Sequence, residues 1–319
     1  MVNICCVSPH EQRLLDKIEG KEDIYRASHP RVFKILETFD GKRPIIDVER
    51  ARYFTESMKQ TEGQMLCLRW AKALKHIAEN ITVYIDEDNL ICGRGGVKGR
   101  YGLLYPELDG DFLDIAIKDL PNRTESPFSI SEGDARIFVE EIAPYRKGKT
   151  YHEALNAAFP EDVHKIYYDD PEGLNSRFIV NETSSFRSSI QWVHDYEKVL
   201  KRGFGGLKKE ALEKIEVLDP LSPIANAEKK PFLEAIVIVC DAIITWARRH
   251  AVLAREVAAQ ETDAVRKAEL LQMADICERV PEHPARTFHE AVQSQWFTQM
   301  FSRIEQKTGT IVSNLSLIH

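Results

Sequence analysis

Residues 48–93 read VERARYFTESMKQTEGQMLCLRWAKALKHIAENITVYIDEDNLICG, and the hydrophobic period changes inside them. Asp47 stands where an N-cap belongs, the apolar residues that follow recur at helical spacing, and Gly63 is a stop. A second helical run, MLCLRWAKALKHIAEN, closes near Asn80. From Ile81 the pattern alternates and is β-branched, with Asp86-Glu87-Asp88-Asn89 between two short runs, which predicts a β-hairpin. Helices followed by a small β unit set the expectation for the whole chain: mainly α with a few β-strands.

The flanking sequence extends that pattern. Upstream, His29-Pro30 precedes RVFKILETF, whose Val32, Phe33, Ile35, Leu36 and Phe39 form a helical stripe ending at Gly41. Downstream, glycine, proline and aromatics from Gly93 to Phe128 predict mostly loop with short helical pieces. Two helices are expected around Pro144 and Tyr145, then an irregular aromatic stretch and an extended piece over Arg177–Asn181. A helix over Asp195–Lys201 is predicted to break at Gly203, Gly205 and Gly206. Further helices are expected over Lys208–Glu216, Pro231–Gln260, Asp263–Arg279 and Thr287–Phe301, the last two separated by Pro281 and Pro284. No internal repeat or low-complexity segment is present.

With 319 residues, 43% apolar and 29% charged, the chain has the composition of a globular protein of one large or two ordinary domains. Its formal charge of -7, without a long basic run, argues against nucleic-acid binding. The N-terminus lacks a basic region followed by an apolar one, and the most apolar stretch, Ala235–Ala247, is too short to span a bilayer and contains Asp241. These features predict a cytoplasmic protein without membrane contact. The cysteines at 5, 6, 67, 92, 240 and 277 include no C-x-x-C pair, so neither a metal site nor a disulfide framework is expected. Cys67, Cys240 and Cys277 fall in helical apolar patterns and read as small buried hydrophobes.

Several motifs fail on inspection. In Gly93–Gly99 the third glycine of a dinucleotide loop would fall on Lys98, and that segment holds no Gly-Lys followed by Ser or Thr, so it reads as a glycine turn. His152-Glu153 and His289-Glu290 begin a zinc H-E-x-x-H, but Asn156 and Gln293 occupy the fifth positions. No G-x-S-x-G elbow exists. The charges at Arg255, Glu256, Glu261, Asp263, Arg266 and Lys267 read as a solvated helix face.

One pair stands out. In SSFRSSIQWVHDYEKVLKRGFGG, residues 184–206, Arg187 and Gln191 are four apart, one turn apart on a helical face. A guanidinium and a carboxamide aimed at one point would make an anion clamp. The same pair also reads as two polar residues on an exposed helix face, and spacing alone leaves both readings open.

ERARYFTESMKQTEG and RWAKALKHIAENITVYIDEDNLICG, then DYEKVLKRGFGGL, then RKAELLQMADICERVPEHPARTFHEAVQSQWFTQ, resemble in the same order the N-terminal part of the glycyl radical enzymes, the pyruvate formate-lyase-like family. The resemblance runs from about Arg13 to Ser313. It implies the N-terminal portion of a ten-stranded α/β barrel, truncated, with residues 21–314 in the family domain, 1–20 a variable segment and 315–319 an aberrant tail. Members acting on diols or choline carry G-H-x-x-x-D-Y where this chain has Gln191 before Asp195-Tyr196. Arg187 with Gln191 is similar to the members that split isethionate (2-hydroxyethanesulfonate) into acetaldehyde and sulfite. A fixed sulfonate monoanion would satisfy the pair, whereas a neutral polyol would leave a buried Arg uncompensated and a quaternary ammonium would be repelled.

The resemblance further implies a radical kept on a backbone glycine and passed to a cysteine, a radical S-adenosylmethionine activase as partner, a homodimer at full length and residence within a bacterial microcompartment. The resemblance matches none of this chain's cysteines to the thiyl cysteine, and the R-V-x-G-Y glycine motif is absent from it, so Arg187 and Gln191 are expected to bind substrate while no residue of this chain is expected to be catalytic or to bind metal. A segment supplying mainly outer helices should leave apolar faces, such as Phe232, Ile236, Ile243 and Trp246, short of partner surface and the isolated chain inactive and prone to aggregate.

Overall fold

In a computed structural model of the chain, the described residues are 29–38, 43–94, 101–108, 117, 120–122, 127–162, 165 and 194–305. They are mostly helical, with two short strands. They fall into a small unit, made of α1 (Pro30–Glu37) and the Asp86–Asn89 turn, and a large unit holding every other element. In the small unit Pro30 opens α1 where its missing N–H is harmless, and the Thr38 hydroxyl donates to Ile35 O at 2.7 Å at the other end. The Asp86–Asn89 turn closes through Asn89 Nδ2 donating to Asp86 Oδ2 at 2.8 Å.

The large unit begins with β1 (Ile45–Asp47), which pairs in parallel with β2 (Tyr101–Leu103), Ile46 opposite Gly102. Both strands lie outside the expected hairpin, and β2 falls where loop is predicted. Three residues each are too few to show an alternation, and their partners are distant in sequence. Asp47 ends β1 and its Oδ1 accepts the Glu49 N–H at 2.8 Å, but the N-cap position of α2 (Glu49–Gln60) falls one residue later than the sequence suggests, on Val48, whose side chain makes no capping bond. Gly63, at φ +82, turns the chain after α2 and α3 (Leu66–Asn80) follows. Ala71, Leu74 and Ile77, with Ala73 and Ala78, form the buried face of α3.

The residues after Asn80 do not form a hairpin. Ile81 and Cys92 are buried against helices, and α10 (Phe288–Glu305) takes up the polar groups that a second strand would have paired. The Gln293 carboxamide accepts the Cys92 N–H at 2.8 Å and donates to its carbonyl at 2.7 Å. Trp296 Nε1 donates to Gly93 O at 3.2 Å and His289 Nε2 lies 2.9 Å from Leu90 O. Gly93 itself, at φ +115, lies so close to α10 that a Cβ there would meet Phe297 at 3.0 Å.

Around Pro144 the chain forms α4 (Glu132–Ile137), a π turn (Phe138–Ile142) and α5 (Ala143–Arg146), then α6 (Tyr151–Ala158). Ile46, Val48, Leu104, Ile117, Phe138 and Ile142 make a small core here. The main core surrounds α8 (Lys230–Gln260), which packs against α3, against α7 (Tyr196–Glu216) and against α9 (Ala264–Arg279). Ala242, Ala247, Ala251, Ala254 and Ala258 on α8 are buried, and their small side chains let neighbouring helices approach. Ile243 and Trp246 are also fully covered, contrary to the expectation that they lack partners: Trp246 packs edge-on to Phe297 of α10. Phe232, by contrast, is 58% exposed, and the shortage of partner surface lies at that end of α8.

A buried polar centre joins the two cores. The Arg50 side chain is wholly buried; Nη1 donates to Glu107 Oε2 at 2.8 Å, and Nη2 lies 2.6 Å from Oε1, a charge contact outside hydrogen-bond alignment. Its Nε donates to Ile304 O and its Nη2 to Glu305 O, both at 2.8 Å, which satisfies carbonyls at the end of α10. The guanidinium lies between the Phe54 and Tyr105 rings, 4.7 and 4.3 Å from their centroids. Burial pushes the Tyr105 phenol up to about 12. Replacing Arg50 by Met strands Glu107 and the α10 carbonyls and should cost about 3–5 kcal/mol in denaturant unfolding. The double change Arg50→Met with Glu107→Leu should recover much of that loss; a neutral single variant would contradict this role.

His250, wholly buried beside Trp246 and Phe297, donates from Nδ1 to Trp246 O at 2.9 Å. Burial lowers its pKa to about 4 from 6.5. The unfolded chain therefore takes up a proton near pH 6.5 that the folded chain refuses until near pH 4, and stability falls as pH falls through that window. Between pH 7 and pH 4 His250→Phe should lose about 3 kcal/mol less stability than the parent, read from urea unfolding at each pH. Parallel pH profiles for the two proteins would refute the assignment.

Candidate substrate-binding segment

Arg187 and Gln191 lie outside the described residues, as does the extended piece expected over Arg177–Asn181. The described residues resume at His194, three residues after Gln191. Asp195 caps α7, its Oδ1 accepting the Lys198 N–H at 3.0 Å. Next to it Tyr196 is buried, and the His194 ring meets the Tyr196 ring edge-on with centroids 5.5 Å apart. Burial lowers the His194 pKa and raises that of the Tyr196 phenol, so both side chains are neutral near pH 7.

The expected glycine break is present as a kink within α7. Gly203 adopts φ 66 and ψ 168, and a Cβ there would stand 2.1 Å from Glu282 O. At Gly205 the same oxygen would be 2.9 Å away. The close approach lets Phe204 N donate to Pro281 O at 2.8 Å and Gly205 N to Glu282 O at 2.9 Å. Ala285 N donates back to Leu200 O at 3.3 Å, and Arg248 of α8 pairs with the Glu282 carboxylate. The link between α9 and α10 is thus seated in the kink, which ties α7 to the central helices. Only glycine tolerates both the positive φ and the neighbouring carbonyl at position 203.

Other residues singled out from the sequence have local duties. Glu153 accepts from Thr150 N at 3.0 Å while Thr150 Oγ1 accepts from Glu153 N at 3.2 Å, a reciprocal cap on α6. Glu290 is buried between Arg286, at 2.8 Å, and Arg279, at 3.6 Å, and Arg286 foremost lowers its pKa. Arg255 pairs with Glu278 at 2.9 Å, and Asp263 caps α9 through Val265 N and Arg266 N. Among the described residues no group of three or more His, Cys, Asp or Glu is placed to hold a metal ion. Cys92, Cys240 and Cys277 are buried; burial pushes the Cys240 thiol up to about 12, and the neighbouring Cys92 together with burial holds Cys277 well above the usual thiol range.

Two polar centres escape the sequence reading. Gln293 could have been found, since it is the residue that spoils the second zinc-like motif and is an uncharged polar group on an apolar helix face. Arg50 and Glu107 give no local signal, because an Arg early in a helix ordinarily reads as surface charge.

The pyruvate formate lyase-like family model matches residues 22–315. Isethionate sulfite-lyase of Oleidesulfovibrio alaskensis is 77% identical over 97% of this chain, which covers 38% of that relative. Isethionate sulfite-lyase of Bilophila wadsworthia is 68% identical over 96% of this chain and 37% of the relative. The glycerol-bound B12-independent glycerol dehydratase from Clostridium butyricum superposes with a TM-score of 0.80 at 34% identity, over 86% of this chain and 34% of that one. The chain therefore spans well under half the length of the relatives it matches. Among the described residues no helix is long and apolar enough to cross a membrane. Its sequence over residues 22–315 and its arrangement of helices place the chain in the pyruvate formate lyase-like family of glycyl radical enzymes.

Proposed function

We propose that this chain is the N-terminal part of a glycyl radical carbon–sulfur lyase that converts isethionate to acetaldehyde and sulfite. The observation that carries this reading is the 77% identity to a curated isethionate sulfite-lyase across nearly the whole chain. The matched span includes the Arg187–Gln191 segment, and the pair suits the substrate chemically. A sulfonate keeps one negative charge at every physiological pH and offers three acceptor oxygens. Arg187 would supply a permanent charge and paired donors; Gln191 would supply one further N–H and fix the orientation of the head group. As the carbon–sulfur bond lengthens, negative charge gathers on the departing sulfite, and the same donors would stabilise it more strongly than the bound substrate.

The radical chemistry belongs to the remaining length of the fold, where the thiyl cysteine, the proton-accepting Glu and the radical glycine are assigned, and a radical S-adenosylmethionine activase would install the glycyl radical. This segment contributes substrate selection and does not by itself turn over isethionate. The barrel portion, homodimer and cytoplasmic or microcompartment setting belong to the same proposal, as do the boundaries 1–20, 21–314 and 315–319.

The test is a hybrid in which residues 22–315 replace the matching segment of the Oleidesulfovibrio enzyme. The activated hybrid should release sulfite from isethionate. Arg187→Ala in it should raise the isethionate KM about tenfold or more, the loss of one charge-assisted contact, and Gln191→Ala should raise it less. An unchanged KM in the Arg187 variant would sink the clamp, and an activated, folded hybrid without sulfite release would sink the lyase reading.

A further inference from the structure

A groove of about 620 Å³ opens between α3, α7 and α8, lined by Leu66, Trp70, Phe204, Phe232, Ile236 and Glu305 among others. Leu66 and Phe232 on its rim are 64% and 58% exposed, unusual for large apolar side chains at one site. Glu305 is the one charged residue in the lining. A small-molecule site of this volume ordinarily presents several convergent polar groups, which this lining lacks. Its chemistry fits an apolar stretch of polypeptide.

The source of that stretch follows from two observations. This chain covers 38% of its 77% identical relative, so most of the family's length lies outside it. Glu305, the last described residue of α10, stands in the groove lining, so the groove opens where the polypeptide leaves the described structure. We propose that the groove seats an apolar segment from the remaining length of the family fold, with the Glu305 carboxylate meeting a donor on that segment. The inference rests on the reading of this chain as the N-terminal part of a longer enzyme. It names Phe232, Ile236 and Leu66 as the contact that joins the two parts.

Cys67 supplies the readout. It is half-buried in the groove, whereas Cys240 beside it is buried and held protonated. Alkylation of Cys67 by iodoacetamide, followed by peptide mass, is compared between this chain alone, carrying Cys5→Ser and Cys6→Ser, and the hybrid described above, which lacks both residues. The proposal expects Cys67 to react at least tenfold more slowly in the hybrid. Phe232→Asp should restore reactivity, while Val265→Asp, on an exposed face of α9 away from the groove, should not. Phe232→Ala carries the same expectation in smaller measure if the charged variant fails to fold. Equal reactivity in chain and hybrid overturns the proposal. Protection of the isolated chain that grows with its concentration and is relieved by Phe232→Asp also overturns it, because the occupant is then a second copy. Sulfite release by the hybrid is scored separately, so an open groove in an active hybrid refutes the docking contact and leaves the proposed function standing.

Discussion

The Arg50 guanidinium is the interaction on which the large unit depends. It connects parts of the chain that are remote in sequence: α2, which carries it; the segment after β2, which supplies Leu104 O and Glu107; and the end of α10, which supplies the carbonyls of Ile304 and Glu305. Desolvating a guanidinium and a carboxylate is costly, and their attraction offsets that cost only with good geometry and further partners. Here the partners are numerous, and two aromatic faces flank the cation. Such a centre adds little net stability over an apolar equivalent. Its effect is to link register to charge: a shift of α10 against α2 would take the Ile304 and Glu305 carbonyls away from the guanidinium.

The same logic recurs where the backbone lacks regular partners. With two three-residue strands among the described residues, their extended segments must be satisfied in other ways. Gln293 serves both polar groups of Cys92, as a strand neighbour would. The Gly203 kink presents freed N–H groups to Pro281 and Glu282. In each case a helix contributes single donors or acceptors to a passing extended chain, and α8 supplies the apolar floor. Substitution at Gln293 or Gly203 is therefore poorly tolerated for reasons that composition does not reveal. The geometry at Gly203 requires the absence of a Cβ, and the geometry at Gln293 requires a donor and an acceptor on one side chain.

The helices were legible because their period is local. Gly63, Asp195 and Asp263 punctuate the structure where the sequence places them, since stop and cap chemistry acts within one turn. The hairpin was not legible: Ile81–Cys92 alternates because alternate residues meet helices, and its hydrogen-bonding partner lies 201 residues away at Gln293. Nor could sequence separate Ile243 and Trp246 from Phe232 and Ile236. All four belong to α8, and only tertiary packing decides that the first two are buried, Trp246 against Phe297 and Phe301 of α10. The Arg187–Gln191 pair is visible as a spacing, and resemblance gives it a substrate. The glycine anchor was visible as a break; its cause, the approach of Glu282, was not.

The anchor bears on how such a pair would act. A guanidinium gains little selectivity if its backbone can shift, because a mobile Arg follows any anion. Selectivity requires a fixed approach, and the described structure supplies one limit on it immediately after Gln191. Asp195 fixes the start of α7, and the Gly203 kink fastens α7 to Glu282, which Arg248 ties to α8. Movement of the start of α7 would then require breaking a helix cap or displacing a link clasped on both sides. In the proposed reading, the sulfonate-binding donors lie shortly before a helix start that is already fixed when substrate arrives. Bracing of that kind lowers the reorganisation required when charge moves onto sulfite. On the proposed function, the outer helices would contribute to rate through position while the reacting groups reside elsewhere in the fold.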